Sequence, residues 1–594
     1  MGGEALARAV GEAVEIAGDG QGIEHSSRLQ QQVGLIILTG WACVHEDLLS
    51  GARCAATQGE FPMAGTGWRP LGLAAAVALV GALGAGTLSS SAMAQAYKCP
   101  KMGGDFVFGQ EANVNSLDQM TSTTISTRNI AMNIFEALMA RDEANNPITD
   151  LAESFTESPD GLIYTFKIRQ GVKFHNGKTL SSADVAASWD RYKRVAVERN
   201  ILDNVEKWET PDASTFVVTM KRRQPTFIEF ISSFSQPIVI IPAEHKDDAP
   251  QQLRAVGTGP FQLVEMLPGS HVRLKRYDGY TPNTKYTERT GFGGYRQACL
   301  DTVTFRIVTE PGARVAGLRT GELHGVEDIP FISVADLKKD SRITILPLEN
   351  WWVHVSSANN SQPPTDNPKF RQAVMALLDM EEIMEAATDG NYKLNVGFQY
   401  PHQASYTDAG KEFYNQKNPT KAKALLAEAG YKGEPVFLLT NKDYPSMYNA
   451  ALVMSQQMQS IGIKAELKVV DWPTSVQMQG QASPSPGWNF FFTGYGTQPA
   501  LGALATMNFF MGTNPNYKPK PGQEDPVLKA EWENMNQKTD PKERQAAFAK
   551  MQHRILEQAL VFPFGSLTKV QGVRANVAGY KPFRIPRFSN VSFQ

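Results

Sequence analysis

The sequence predicts an α/β protein with several sheets, on three observations. Short runs alternate apolar with polar residues, longer runs carry apolar stripes at helical spacing with caps at their ends, and in the second half helix is followed by strand without any repeat in sequence. Composition agrees: 594 residues, 58 Lys+Arg against 60 Asp+Glu, a net charge of −2 and 42% hydrophobic residues describe a globular chain, not a disordered, collagenous or polytopic membrane one. That length suggests about three or four domains. Near-neutral charge leaves no basic face for nucleic acid. Cys43, Cys54, Cys99 and Cys299 form no CxxC or Cys/His cluster, so no metal site is expected.

The chain opens on segments that are not expected to belong to the fold. After Met63 come a single Arg69, an apolar run from Leu71 to Leu88, and small residues ending Ala92-Met93-Ala94-Gln95-Ala96. This is the three-part form of a secretory signal peptide, 63–96, cut after Ala94 or Ala96. Gly72, Gly81, Gly84 and Gly86 weaken the run as a membrane anchor, and no basic flank follows it. Residues 1–62 precede a complete leader and are expected to be a misassigned, poorly ordered upstream extension. Removal of 1–96 leaves 498 residues with 54 basic and 52 acidic side chains. Cys99 and Cys299 then remain in an oxidising compartment, where they either pair or stay as unrelated buried thiols.

In the remaining chain, Tyr164, Phe166 and Ile168 alternate with polar neighbours, as do Phe216, Val218 and Met220; both runs predict half-buried strands. Between them Ser181-Ser182-Ala183-Asp184 resembles a capping box and opens a helix with Val185, Trp189 and Tyr192 on one stripe. Strands are expected at 271–276 and 303–308, and helices at 370–387 and 420–429, the latter closed by Gly430. Pro445 opens a helix striped by Met447, Ala451, Met454, Met458 and Ile461, spacing that marks a core face rather than a soft metal site. Gly462 ends it, and Ile463, Ala465, Leu467 and Val469 follow as a strand.

One stretch departs from the average. Residues 472–517 are 46 in number and contain no Asp, Glu, Lys or Arg, in a chain that is 20% charged. Trp472, Trp488, Phe490, Phe491, Phe492, Tyr495, Phe509, Phe510 and Tyr517 are interleaved there with amides, hydroxyls and glycines. A buried strand explains 489–493 but not the whole. A shorter uncharged stretch, 351–364, begins with Trp351-Trp352. Aromatic faces beside amide and hydroxyl groups line pockets for organic ligands.

Catalytic and cofactor motifs are missing. Gly171 to Thr179 resembles a phosphate loop but is one residue too long for GxxxxGK[ST], and Gly257-Thr-Gly259 and Gly494-Tyr-Gly496 lack the third glycine of a dinucleotide fingerprint. There is no GxSxG or HExxH, and His175, His245, His271, His324, His354, His402 and His553 are scattered. No cofactor is expected.

The segment 152–177, AESFTESPDGLIYTFKIRQGVKFHNG, resembles the signature of extracytoplasmic solute-binding proteins of family 5, the dipeptide/oligopeptide-binding group. Further matches run in the same order: Asn115-Ser-Leu117-Asp118, Ser182-Ala-Asp184-Val185, Gly257-Thr-Gly259-Pro260-Phe261, Leu318-Arg-Thr-Gly321-Glu322, Pro363-Pro364, Arg371-Gln-Ala373, Leu378-Asp379, the stretch from Lys423 to Tyr431, and Ile461-Gly462-Ile463. The resemblance implies a bilobal periplasmic-binding-protein-like (Venus-flytrap) fold, two lobes in three subdomains around a ligand cleft. Residues 97–140, 255–349 and 563–594 would form the main part of lobe I, 141–254 its inserted subdomain, and 350–562 lobe II. On that map Cys99 and Cys299 share a subdomain, which favours a disulfide between them.

By the same resemblance the protein is a periplasmic component of an ABC importer, monomeric and not an enzyme. It would capture a small organic solute by lobe closure and deliver it to a membrane permease with separate ATPase subunits. An extracytoplasmic enzyme on this scaffold, or a ligand-dependent sensor or chaperone, are the alternatives. The expected ligand-binding residues are Asn113, Trp351, Trp352, Trp488, Thr493, Gly494 and Tyr495. As neighbours on a strand, Trp351 and Trp352 should face opposite sides. Peptide-binding members place an aspartate just after the Trp-containing strand to hold the peptide's amino group; Tyr495 stands there instead, and no acid follows until Glu524. Asn113 stands where some oligopeptide binders carry an acid. A buried ammonium without a carboxylate is costly, so the expected solute is neutral or anionic: a blocked or otherwise peptide-like compound, an opine, a sugar derivative or an aromatic acid.

Overall fold

The alternating runs form strands on the expected faces. The computed structural model describes residues 96–403, 405–481, 487–496, 507, 511 and 524–594. The upstream extension and the leader, apart from Ala96, lie outside the described residues, as does most of 497–523, including Phe509, Phe510 and Tyr517.

In chain order come β1 (Asp105–Gln110), α1 (Ile125–Ala131), β2 (Ala152–Glu157), β3 (Ile163–Ile168), α2 (Ser182–Val195), β4 (Val205–Asp212), β5 (Thr215–Met220), β6 (Phe261–Leu267), β7 (His271–Arg276), β8 (Thr302–Ile307), α3 (Pro311–Thr320), β9 (Gly325–Val326) and β10 (Ile343–Ala358). There follow α4 (Pro368–Leu377), α5 (Met380–Thr388), α6 (Pro419–Glu428), β11 (Val436–Thr440), α7 (Pro445–Ser460), β12 (Ala465–Val469), α8 (Trp472–Gly480), β13 (Phe490–Tyr495), α9 (Pro526–Gln537), α10 (Pro541–Glu557) and β14 (Val561–Arg574).

Tyr164, Phe166 and Ile168 on β3, and Phe216, Val218 and Met220 on β5, are buried. With β2 and β4 they build a separate antiparallel sheet in the order β2-β3-β5-β4. Helix α2 covers it through Val185, Trp189 and Tyr192, and begins as expected: the Asp184 carboxylate accepts from the Ser181 N–H at 3.0 Å and its hydroxyl at 2.8 Å. The helix expected over 370–387 is two helices. Asp379 breaks it, because its carboxylate caps α5 by accepting from the Glu381 and Glu382 N–H groups at 3.0 and 3.2 Å. Leu467 and Val469 remain partly exposed because β12 is an outer strand of its sheet.

The large sheet has the order β12-β11-β13-β10-β14-β9-β1-β8-β7-β6, and a short strand Tyr392–Lys393 also pairs with β14. Two long strands join its halves. One end of β10, Ile343 to Leu348, pairs with Arg574 to Lys569 of β14; the other end, Trp352 to Ser357, pairs with Leu567 to Val561. The register shifts between Leu348 and Trp352, where Asn350 takes φ 52°. A bulge of this kind bends the strand and re-aims its side chains. It also overturns the expectation that Trp351 and Trp352 face apart: both are buried and both line one cavity.

Two buried ion pairs brace the first part of the chain. Arg191 on α2 grips Asp118 through both guanidinium nitrogens at 3.1 and 2.6 Å, and Arg296 bridges Glu136 and Asp150. A disulfide joins Cys99 to Cys299, closing a separation of 200 residues.

His354 on β10 is fully buried against Phe564, and burial pushes its pKa down to about 4. An unfolded histidine takes up a proton near pH 6.5, so from there down to about pH 4 the unfolded chain binds more protons and stability falls with pH. Between pH 7 and pH 5 this residue should cost about 2 kcal/mol. Urea unfolding at the two pH values checks it, since His354→Phe should lose that much less on acidification than the parent protein.

Candidate ligand cleft

The bulge in β10, the end of β13, the start of α7 and the C-terminal segment converge on two cavities. The first, of about 110 Å³, is lined by Arg128 on α1 and Arg584, by Glu198, and by Trp352, Tyr444, Trp472 and residues 493–496 of β13 and its extension. Of the expected residues, Trp352, Thr493, Gly494 and Tyr495 meet here. Trp351 lines the second cavity. Trp488 is instead a core residue whose indole N–H donates to the Met478 carbonyl at 3.1 Å. Asn113 sits at the β6–β7 turn, accepting from the Gly269 N–H at 2.8 Å. Neither lines the described cavities.

The aromatic wall is a connected chain. Trp351 contacts Trp352 at 5.9 Å between ring centroids, Trp352 meets Tyr444 edge-on at 6.0 Å, Tyr444 meets Trp472 at 5.3 Å, and Trp472 stacks on Phe491 at 6.1 Å. Gly494 is required where it is: a β-carbon there would run into the Trp352 ring. Gly496 makes the same room for the Arg584 guanidinium. The Tyr495 hydroxyl shares a 2.8 Å hydrogen bond with Ser357.

Charge in this cavity comes from residues that no motif announces. Arg584 donates to the Trp351 carbonyl at 2.9 Å and lies 5.3 Å from that indole ring. Arg128 donates to the Ser235 and Thr123 carbonyls at 3.1 Å each, and its Nε is buried without a partner. Neither has a carboxylate within ion-pair distance among the described residues. Burial pushes both down to about 10; the positive charge of Arg128 adds to the effect on Arg584, while Glu198, also on the cavity wall, partly offsets it for Arg128. The indole N–H groups of Trp352 and Trp472 and the Tyr444 hydroxyl likewise lack partners among the described residues.

The second cavity, about 200 Å³, lies under the bulge and shares Trp352 and Tyr444 with the first. Behind it Lys569 of β14 pairs with Glu111 and, at 3.3 Å, with Glu327, while Arg314 of α3 reaches Glu111 at 3.4 Å. Among the described residues the Asp328 carboxylate accepts only a 3.3 Å bond from the Val570 N–H, and burial together with the Glu111 charge raises it to about 7. Among the described residues no group of three His, Cys, Asp or Glu side chains is placed to hold a metal ion, and no helix is long and apolar enough to cross a membrane.

The model of the bacterial extracellular solute-binding proteins, family 5, matches residues 146–517. The chain belongs to that family. Among its family 5 relatives is the glutathione-binding protein GsiB of Escherichia coli O157:H7, 27% identical over 415 residues that cover 69% of this chain and 78% of the relative. The periplasmic binding protein AgaA of A. tumefaciens R10, solved with agropinic acid, superposes with a TM-score of 0.72 at 25% identity, covering 83% of this chain and 99% of its own. DppA of Helicobacter pylori, solved with the peptide STSA, shares the fold at a TM-score of 0.70 and 22% identity, covering 83% and 98%. The family 5 match and these neighbours establish the bilobal solute-binding fold.

Proposed function

We propose that this solute-binding component of an ABC importer captures a small organic anion rich in hydrogen-bond acceptors. The observation that carries the reading is the pair Arg128 and Arg584, two desolvated guanidiniums on one cavity whose walls hold a single acid, Glu198, and neither of which has a carboxylate within ion-pair distance among the described residues. A buried charge is tolerated when its partner arrives, and a carboxylate matches the guanidinium fork. The orphaned donors of Trp352, Trp472 and Tyr444 would then bond the rest of the solute. An opine such as agropinic acid and a net-anionic peptide such as glutathione both fit this chemistry.

In this reading lobe I (97–140, 255–349 and 563–594, with 141–254 inserted) and lobe II (350–562) close about the paired strands β10 and β14, as a monomer in the periplasm, and pass the solute to the permease. Binding residues would be Trp352, Thr493, Gly494 and Tyr495 of the residues expected from sequence, with Arg128, Arg584, Tyr444 and Trp472 added. The relatives are binding proteins of transporters, and binding is the better reading of this site than catalysis.

A thermal-shift titration tests this. Agropinic acid, glutathione and the zwitterionic dipeptide Met-Leu are compared; a solute at a hundredfold its Kd stabilises by about 2.7 kcal/mol. The two net anions should raise the Tm and the dipeptide should not. A largest shift from Met-Leu would overturn the anionic reading.

A further inference from the structure

The cavity under the β10 bulge has a chemistry of its own. Trp351, Trp352 and Tyr444 wall it, each at most 5% exposed, and the Trp351 Nε1, Trp352 Nε1 and Tyr444 hydroxyl have no hydrogen-bond partner among the described residues. Buried donors that lie on a cavity wall without a protein partner are open to an acceptor, a water or a ligand oxygen. The same cavity is lined by Asp328, whose carboxylate accepts one backbone bond among the described residues, and by Asn391, whose amide N–H donates to the Thr568 carbonyl at 3.0 Å.

The second cavity carries formal charge of both signs, with the acids in excess. Lys569 bridges Glu111 and Glu327 and lies 5.0 Å from the Trp351 ring, and Arg314 completes the set. An anion entering would meet Glu111, Asp328 and Asp389; an organic cation would meet Lys569 and Arg314. A hydroxyl group suits both kinds of wall, since it donates to a carboxylate or amide oxygen and accepts from an indole N–H. Aromatic faces complement the C–H faces of a carbon chain that carries such hydroxyls.

We propose that this hinge cavity is a binding subsite for an uncharged polyol, a sugar or alditol moiety. Joined through the shared Trp352 and Tyr444 walls, it would take the hydroxyl-rich end of the same solute whose acid sits between Arg128 and Arg584. That link rests on the proposed function; the polyol subsite itself does not.

The test uses D-mannitol as the probe, titrated into the purified protein at millimolar concentration and followed by saturation-transfer NMR. Binding should be present in the parent and in Arg128→Gln, since Arg128 lines the cleft and not this cavity. It should weaken by at least about tenfold in Trp351→Phe, which keeps an aromatic face but removes the indole N–H, and in Asp328→Asn. No mannitol binding to the parent overturns the subsite. So does binding that is lost in Arg128→Gln and unchanged in Trp351→Phe, which would place mannitol in the cleft. Agropinic acid is titrated in the same samples: if it binds and mannitol does not, only the hinge subsite fails, whereas mannitol binding without acid binding fails the cleft reading alone.

Discussion

Replacing Arg584 by Gln should weaken binding of an anionic solute by at least about 30-fold, the equivalent of 2 to 5 kcal/mol for removing one partner of a desolvated charge pair. The same change should leave the melting temperature of the solute-free protein unchanged or higher. The two signs follow from one fact. Arg584 is held by the Trp351 carbonyl and by the face of its indole, and burial opposes its charge with no anion at hand. Its desolvation therefore weighs against the empty protein and is compensated only when the solute arrives. Arg584→Lys should bind at an intermediate level, because it keeps the charge and loses the planar fork. Calorimetric titration and melting of the same samples check both halves. A variant that melts lower and binds normally would make Arg584 a structural residue.

Breaking the Cys99–Cys299 disulfide should lower stability by about 3 to 5 kcal/mol in the chain-entropy view, because it closes a loop of 200 residues. The bridge fastens the residues before β1 to the turn that precedes β8. Its surroundings are ordered on both sides: the Gly103 N–H donates to the Cys299 carbonyl at 2.7 Å, Gly104 donates to Asp301 at 2.9 Å, and the Tyr97 N–H donates to Thr287 at 2.8 Å. With those bonds intact, loss of the bridge should act chiefly on the unfolded chain and leave solute affinity within about twofold. Urea unfolding of the oxidised protein against a Cys99→Ser, Cys299→Ser double variant measures the difference. Equal midpoints would show that the bridge restrains nothing in the unfolded state.

The residues that made the family legible are largely those that hold the fold. Asp118 of the Asn-Ser-Leu-Asp match is the buried partner of Arg191; Asp184 caps α2 and pairs with Lys178 at 2.6 Å; Gly257 and Gly259 lie against the Ile134 backbone, where a β-carbon would not fit. Such constraints act over short stretches and leave short patterns. The aromatic part of the site was legible for a similar reason, since Trp352 and residues 493–495 fall in uncharged stretches of an otherwise charged chain.

Arg128 and Arg584 left no such trace. They are 456 positions apart, each beside ordinary helix or loop residues, and an arginine alone in sequence reads as a solvated side chain. Lys569, Glu111, Glu327 and Asp328 are equally silent, although three separate strands and their ends bring them together. The bulge at 349–351 is also a tertiary decision: strand alternation predicts opposite faces for Trp351 and Trp352, and only the pairing of β10 with β14 shifts the register so that both reach one cavity.

The sequence by itself determined the α/β class, the family and the aromatic, uncharged character of the binding wall, because periodicity, caps and composition are local quantities. Only the tertiary structure decided the charge of the cleft, the second cavity and the register shift in β10. Desolvation and ion pairing depend on which distant side chains share a volume, and no property of a single segment records that.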